Sequence, residues 1–142
     1  MHAPTRALRL PLHDGFAPMA AVTIDIPLIA RVSTRDRAET RRAAAADVVV
    51  SKPGYGIVSE CVANGTALLY TSRGRFAEYD LFVEEMPRLL RCRFLSQDDL
   101  FAGRWADAVE ALLAQPAPRE RVRLDGADAA ADHVLAFDRD SR

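Results

Sequence analysis

Beyond Asp47, short apolar runs alternate with stretches of helical spacing, a rhythm few folds accommodate. Val48-Val49-Val50 has no polar residue, as in strands covered on both faces of a parallel sheet. A turn over 51–56 leads to a helical stretch over 57–64, closed by Gly65 at a C′ position. Ala67 to Thr71 is a second strand, and a loop over 72–77 follows. Residues 78–86 read as a helix stopped by Pro87, and 92–95 as a third strand. Ser96 with Asp99 is a capping-box pattern, opening a helix over 98–115 that ends before Pro116 and Pro118. Phe101, Trp105, Ala108, Val109 and Leu112 recur on one face of it and are expected in the core. Asp125-Gly126 starts a last, Ala-rich helix to about Phe137. Strand and helix in strict alternation predict a parallel sheet with right-handed crossovers, an α/β fold in three layers.

Residues 1–45 read differently. Two alternating runs, Ala7 to Leu10 and Val22 to Ile26, are punctuated by Pro4, Pro11, Pro18 and Pro27. Such proline spacing excludes a central strand and suggests an extended linker. Ser33 with Asp36 opens a short Arg- and Ala-rich helix over 34–46 that has little to bury.

At 142 residues the chain has room for one compact domain. It is 27% charged and 49% hydrophobic, which excludes a disordered tail. Its formal net charge of -1 lacks the basic excess of a nucleic-acid binder. No apolar run approaches the ~18 residues of a membrane span, and no leader pattern opens the chain. Cys61 and Cys92 are isolated thiols, read as buried and reduced in a cytoplasmic protein. His2, His13 and His133 are scattered, so no metal site or metal cofactor is expected.

Ligands of open parallel sheets bind beyond the carboxyl ends of the strands. The loops expected there are 51–56 and 72–78. In the first, Gly54 and Gly56 let the backbone turn and approach a ligand closely. The helix that follows offers unpaired N–H groups to a phosphate. Lys52, the only lysine beside 18 arginines, adds a point charge. Glu60, an acceptor-only carboxylate, suits sugar hydroxyls. A plain βα turn with Lys52 and Glu60 in solvent explains the same spacing. The GxGxxG and GxxxxGK[ST] fingerprints are both absent, which disfavours a dinucleotide or P-loop site.

The run Asp47 to Glu60 resembles the nucleotide-sugar motif of GT-B glycosyltransferases, in their C-terminal, donor-binding domain. It is similar to the motif of the peptidoglycan N-acetylglucosaminyltransferase and of plant small-molecule glucosyltransferases. Closer still is the glycosyltransferase-like part of plant L-arabinokinases. There a KxGYGxVSE string, an RxxF-like loop and a DLxxGxW helix follow in order. Here these are Lys52 to Glu60, Arg73 to Phe76, and Asp99 to Trp105. The likeness covers about 46–115, and 8–42 more loosely as an interdomain segment.

The resemblance implies a partial donor-binding Rossmann-like domain over 46–142, with 1–45 as interdomain segment and short helix. The substrate would be a nucleotide sugar, with UDP as the expected nucleotide and no other cofactor. Glu60 would hold the ribose hydroxyls, and Gly54, Tyr55, Gly56 and Ile57 would lie at the diphosphate. Lys52 stands where the plant enzymes have a diphosphate-contacting His. Phe76 and Glu78 fall in the loop that contacts the donor sugar. Two positions depart from the pattern: Ile57 replaces a Ser or Thr, and Tyr79 replaces a Gln. The Gly-rich loop that carries a catalytic base in the family has no counterpart here, and neither do the first strand–helix units of its donor domain. One expectation is therefore a family member with half a donor site. The other is a catalytically inactive remnant or interaction module that binds no donor. Either would expose an apolar sheet edge or have it covered by a partner.

Overall fold

A computed structural model describes residues 7–9, 23–29, 46–72, 74 and 79–140. Backbone contacts divide the chain into two compact units, Met1–Ala30 with Val122–Arg142, and Arg31–Arg121. In chain order the elements are β1 (Ala7–Arg9), β2 (Thr23–Asp25), β3 (Val48–Ser51), α1 (Tyr55–Asn64), β4 (Ala67–Tyr70), α2 (Tyr79–Leu89) and β5 (Cys92–Phe94). Three helices follow: α3 (Gln97–Phe101), α4 (Ala106–Leu113) and α5 (Gly126–Asp140). The expected helix over 34–46 lies, but for Ala46, outside the described residues.

The larger unit is built on a parallel sheet in the order β3-β4-β5. All four residues of β4 are buried, as its apolar sequence requires of a middle strand. Side chains alternate across a sheet, so Val48, Val50, Ala67 and Leu69 share one face. On that face Leu112 of α4 packs with Ala67, Leu69 and Leu95, and Leu100, Ala108 and Val109 close around them. Val49, Leu68, Tyr70 and Cys92 share the other face. The two parallel crossovers, α1 and α2, belong there by the right-handed rule. They pack against each other through Tyr55 and Phe82, whose rings meet edge-on at 5.2 Å and 80°. Val58, Phe82 and Met86 are fully buried.

Three local expectations are corrected. Pro87 does not stop α2, which runs to Leu89. Only one helical hydrogen bond is lost in a final turn, the Pro87 ring is exposed, and buried Met86 and Leu89 hold the turn in place. The helix expected over 98–115 is two helices. Gly103 takes a left-handed φ of 71°, and Arg104 donates back to the Asp99 carbonyl at 2.9 Å, a Schellman-type ending. That break turns Phe101 and Trp105 outward, 83% and 42% exposed, instead of into the core; Leu100 packs there instead. The capping pattern at Ser96 does form. Its hydroxyl oxygen accepts from the Asp99 N–H at 3.0 Å and its hydroxyl donates to the Asp99 carboxylate at 2.7 Å. That bond, with Arg104, holds Asp99 below the usual carboxylate range.

In the smaller unit, β1 and β2 pair in parallel, where proline spacing had suggested a linker. Ile26 and Leu28 are buried beyond β2. The Leu28 N–H donates to the Arg123 carbonyl at 3.2 Å, and the Gly126 N–H donates to the Leu28 carbonyl at 3.4 Å. These bonds tie 26–29 to the start of α5.

Cys61 and Cys92 are free and buried. Burial pushes both thiols from 9.0 up to about 11, and the Glu60 charge adds to this at Cys61. A folded-state pKa above the unfolded one costs nothing while both states are protonated, and its penalty accrues as pH passes the unfolded value. The urea midpoint should therefore be insensitive to these thiols below about pH 9 and fall toward about pH 11. Replacing both cysteines with alanine should flatten that fall; an equally steep fall in the double variant would show that other groups cause it.

Candidate functional site

The candidate site begins where β3 ends. Ser51 closes the strand, Lys52 is exposed, and Pro53 is buried beneath the turn. Gly54 stands at the N-cap of α1, and its carbonyl accepts the first helical bond from the Val58 N–H at 3.0 Å. A glycine here supplies no capping side chain, and the first turn of α1 holds no acidic residue. The positive end of the helix dipole is thus offset neither by a side chain of the N-cap residue nor by a carboxylate within its own first turn.

The reason for the glycines differs from the expected one. Gly54 has φ 179°, extended backbone open to any residue, so no left-handed turn is used here. Gly56 lies within α1, and a Cβ built on it would meet no described residue within 4 Å. What Gly56 contributes is bare backbone in the first turn.

Four residues on, Glu60 lies on the same side of α1, about 6 Å along the axis. It is half-buried, and its backbone carbonyl accepts from the Asn64 side chain at 2.8 Å. Ser59 donates its hydroxyl to the Gly56 carbonyl at 2.9 Å. Tyr55 and Ile57 are half-buried, with the Tyr55 ring anchored on Phe82. Lys52, Gly54, Tyr55, Gly56, Ile57 and Glu60 are therefore gathered around the first two turns of α1. Phe76 and Glu78 lie outside the described residues, as does Arg73.

The start of the second loop reaches the same end of the sheet. The Thr71 N–H donates to the Ser51 carbonyl at 3.1 Å. Ser72 accepts from the Gly74 N–H at 3.1 Å through its hydroxyl, and from the Gln97 side chain at 3.2 Å through its carbonyl. Gly74 has a φ of 78°, where glycine is favoured. Thr71 belongs to no motif in the sequence. It is 3% exposed, and its hydroxyl is the buried side-chain polar group without a hydrogen-bond partner among the described residues. Such a group costs about 1–3 kcal/mol. Strand alternation puts it on the Leu69 face, away from α1.

The arrangement suits binding of an anion over α1 with a hydroxyl-bearing group beside Glu60. Cys61, one residue on, is a protonated thiol at neutral pH and is not placed to serve as a nucleophile there. Among the described residues no cluster of His, Cys, Asp and Glu could hold a metal ion, and no helix is long and apolar enough to cross a membrane. In comparisons with known proteins, no family model, no curated protein and no solved structure matched the chain.

Proposed function

We propose that this chain binds the diphosphate of a nucleotide sugar over the amino terminus of α1, as part of the donor site of a GT-B-type glycosyltransferase. The observation that carries the reading is the start of α1. Its N-cap residue offers no side chain, its first turn holds no acid, and no described residue lies within 4 Å of a Cβ built on Gly56. It stands at the carboxyl end of a parallel strand, where α/β sheets bind ligands.

In this reading the backbone N–H groups of the first turn and the dipole hold the diphosphate. Lys52 supplies a nearby positive charge. Glu60, about 6 Å further along the same side of the helix, accepts from the ribose hydroxyls. The motif likeness over Lys52 to Glu60 supports uridine diphosphate as the first ligand to try, and assigns the donor sugar to the loop of Phe76 and Glu78.

Titration calorimetry with uridine diphosphate tests this. Saturable binding is expected. Glu60→Ala should weaken it by about 1.5–3 kcal/mol, roughly 10- to 150-fold, the range for a hydrogen bond to a charged group. Lys52→Ala should cost less and lose its effect in high salt. No saturable heat, or equal affinity of parent and Glu60→Ala, would remove the nucleotide from this site.

A further inference from the structure

At the opposite end of the sheet, where the strands begin, the larger unit contains a cavity of about 430 Å³. We propose that this cavity binds a small organic oxyanion, a carboxylate or phosphate ester with an apolar body, in a site separate from that over α1.

The cavity is held open by the chain that follows α4. That segment is pinned at both ends. The Gln115 side chain donates to the Cys92 carbonyl at 3.0 Å. The Glu120 N–H donates to the Arg88 carbonyl at 3.1 Å, and the Arg88 guanidinium returns a bond to the Glu120 carboxylate at 2.8 Å. Between the pins run Pro116, Ala117, Pro118 and Arg119. Two prolines in four residues fix φ and remove two N–H donors. The arch is stiff, and it spans the carboxyl ends of α2 and α4 without collapsing onto them.

The lining combines apolar residues with positive charge. Pro87 and Leu90 supply apolar lining on the α2 side, Pro116 and Pro118 on the arch; Arg88, Arg91 and Arg119 line it as well, and no acid does. The three cations are not equivalent. Arg88 is neutralised by Glu85 and Glu120. Arg91 uses one donor, to the Leu113 carbonyl at 3.2 Å, leaving most of its fork unused. Arg119 is exposed and makes no ion pair or hydrogen bond with the described residues. A guanidinium fork presents parallel donors matched to a carboxylate or phosphate. Apolar lining beside arginines favours an anion that carries a hydrophobic body over a bare ion. The volume falls in the range of small-molecule sites.

The test is an amide NMR titration of the full chain with hexanoate and with phenyl phosphate, the two sources of the oxyanion. Hexanol and inorganic phosphate serve as probes lacking the charge and the apolar body. Saturable shifts are expected at 88–92 and at Gln115, Ala117 and Arg119 with at least one of the two organic anions, and which one responds identifies the class. Hexanol and inorganic phosphate should bind at least about 10-fold more weakly, since each forfeits one half of the recognition. Arg119→Gln sits on an exposed loop and should leave the remaining spectrum unchanged while weakening binding about 10-fold. Absence of saturable shifts with both anions up to about 10 mM would overturn the proposal. So would parent affinity in Arg119→Gln, or hexanol binding as well as hexanoate. Shifts confined to 54–60 would report the α1 site and count against this one.

Discussion

Phe82→Ala should lower the unfolding free energy of the larger unit by about 3–5 kcal/mol, the range for deleting a fully buried aromatic ring. Phe82 is 0% exposed and shares its interior with Val58 and Met86. The surrounding helices are anchored elsewhere, so the space left behind can close only in part. Urea unfolding checks this as a fall in midpoint with an unchanged slope. A loss below about 1 kcal/mol would mean that α2 is not packed as described. The same ring supports the start of α1 through its edge-on contact with Tyr55. Phe82→Leu keeps most of the volume and removes the ring contact, worth about 0.5–1.5 kcal/mol. It should leave the sheet folded while weakening uridine diphosphate more than a distant core change of equal cost.

Gly126→Ala should destabilise the smaller unit by about 3 kcal/mol, the upper end of the cost of forcing extra atoms into a packed interior. Gly126 is buried at the first position of α5. A Cβ there would lie 2.8 Å from the Pro27 carbonyl carbon and 2.9 Å from that of Leu28, and closer still to the Pro27 oxygen. These are backbone atoms that cannot swing aside. Relief would have to come from separating 26–29 from α5, which breaks the Gly126–Leu28 hydrogen bond and uncovers Leu28, 0% exposed. Faster amide exchange at Leu28 and along the first turns of α5 is the measurement. Gly56→Ala is the contrast. With no described residue within 4 Å of its Cβ, it should hold stability or gain up to about 1 kcal/mol from helix propensity. Equal loss in the two variants would show that close backbone approach is not what Gly126 provides.

Much of the larger unit is legible in the sequence because its signals are local. Val48 to Val50 and Ala67 to Tyr70 are apolar runs, and the stretch over 57–64 between them is closed by Gly65 as a helix is. Gly65 ends α1 in the left-handed conformation its position suggested, φ 67°. The pattern of the first loop likewise put Lys52, Gly54, Gly56 and Glu60 around the start of one helix, since a helix carries residues four apart on one side. Gly103 also announces a helix end. The apolar spacing of Phe101, Trp105, Ala108 and Leu112 continues through it, however, and reads as one helix.

By itself, then, the sequence determined the order and type of the central elements and the company of residues at the start of α1, because propensity, hydrophobic period and glycine conformation act over a few residues. Tertiary structure alone decided the rest. It let Pro87 remain inside α2, turned Phe101 and Trp105 to solvent, paired β1 with β2, and made Gly126 a point of backbone contact. It also bent the segment after α4 into an arch that brings Arg119 to the cavity lined by Arg88 and Arg91. Each of these depends on atoms distant in sequence meeting in space, and no pattern of neighbouring residues encodes where a distant backbone will pass.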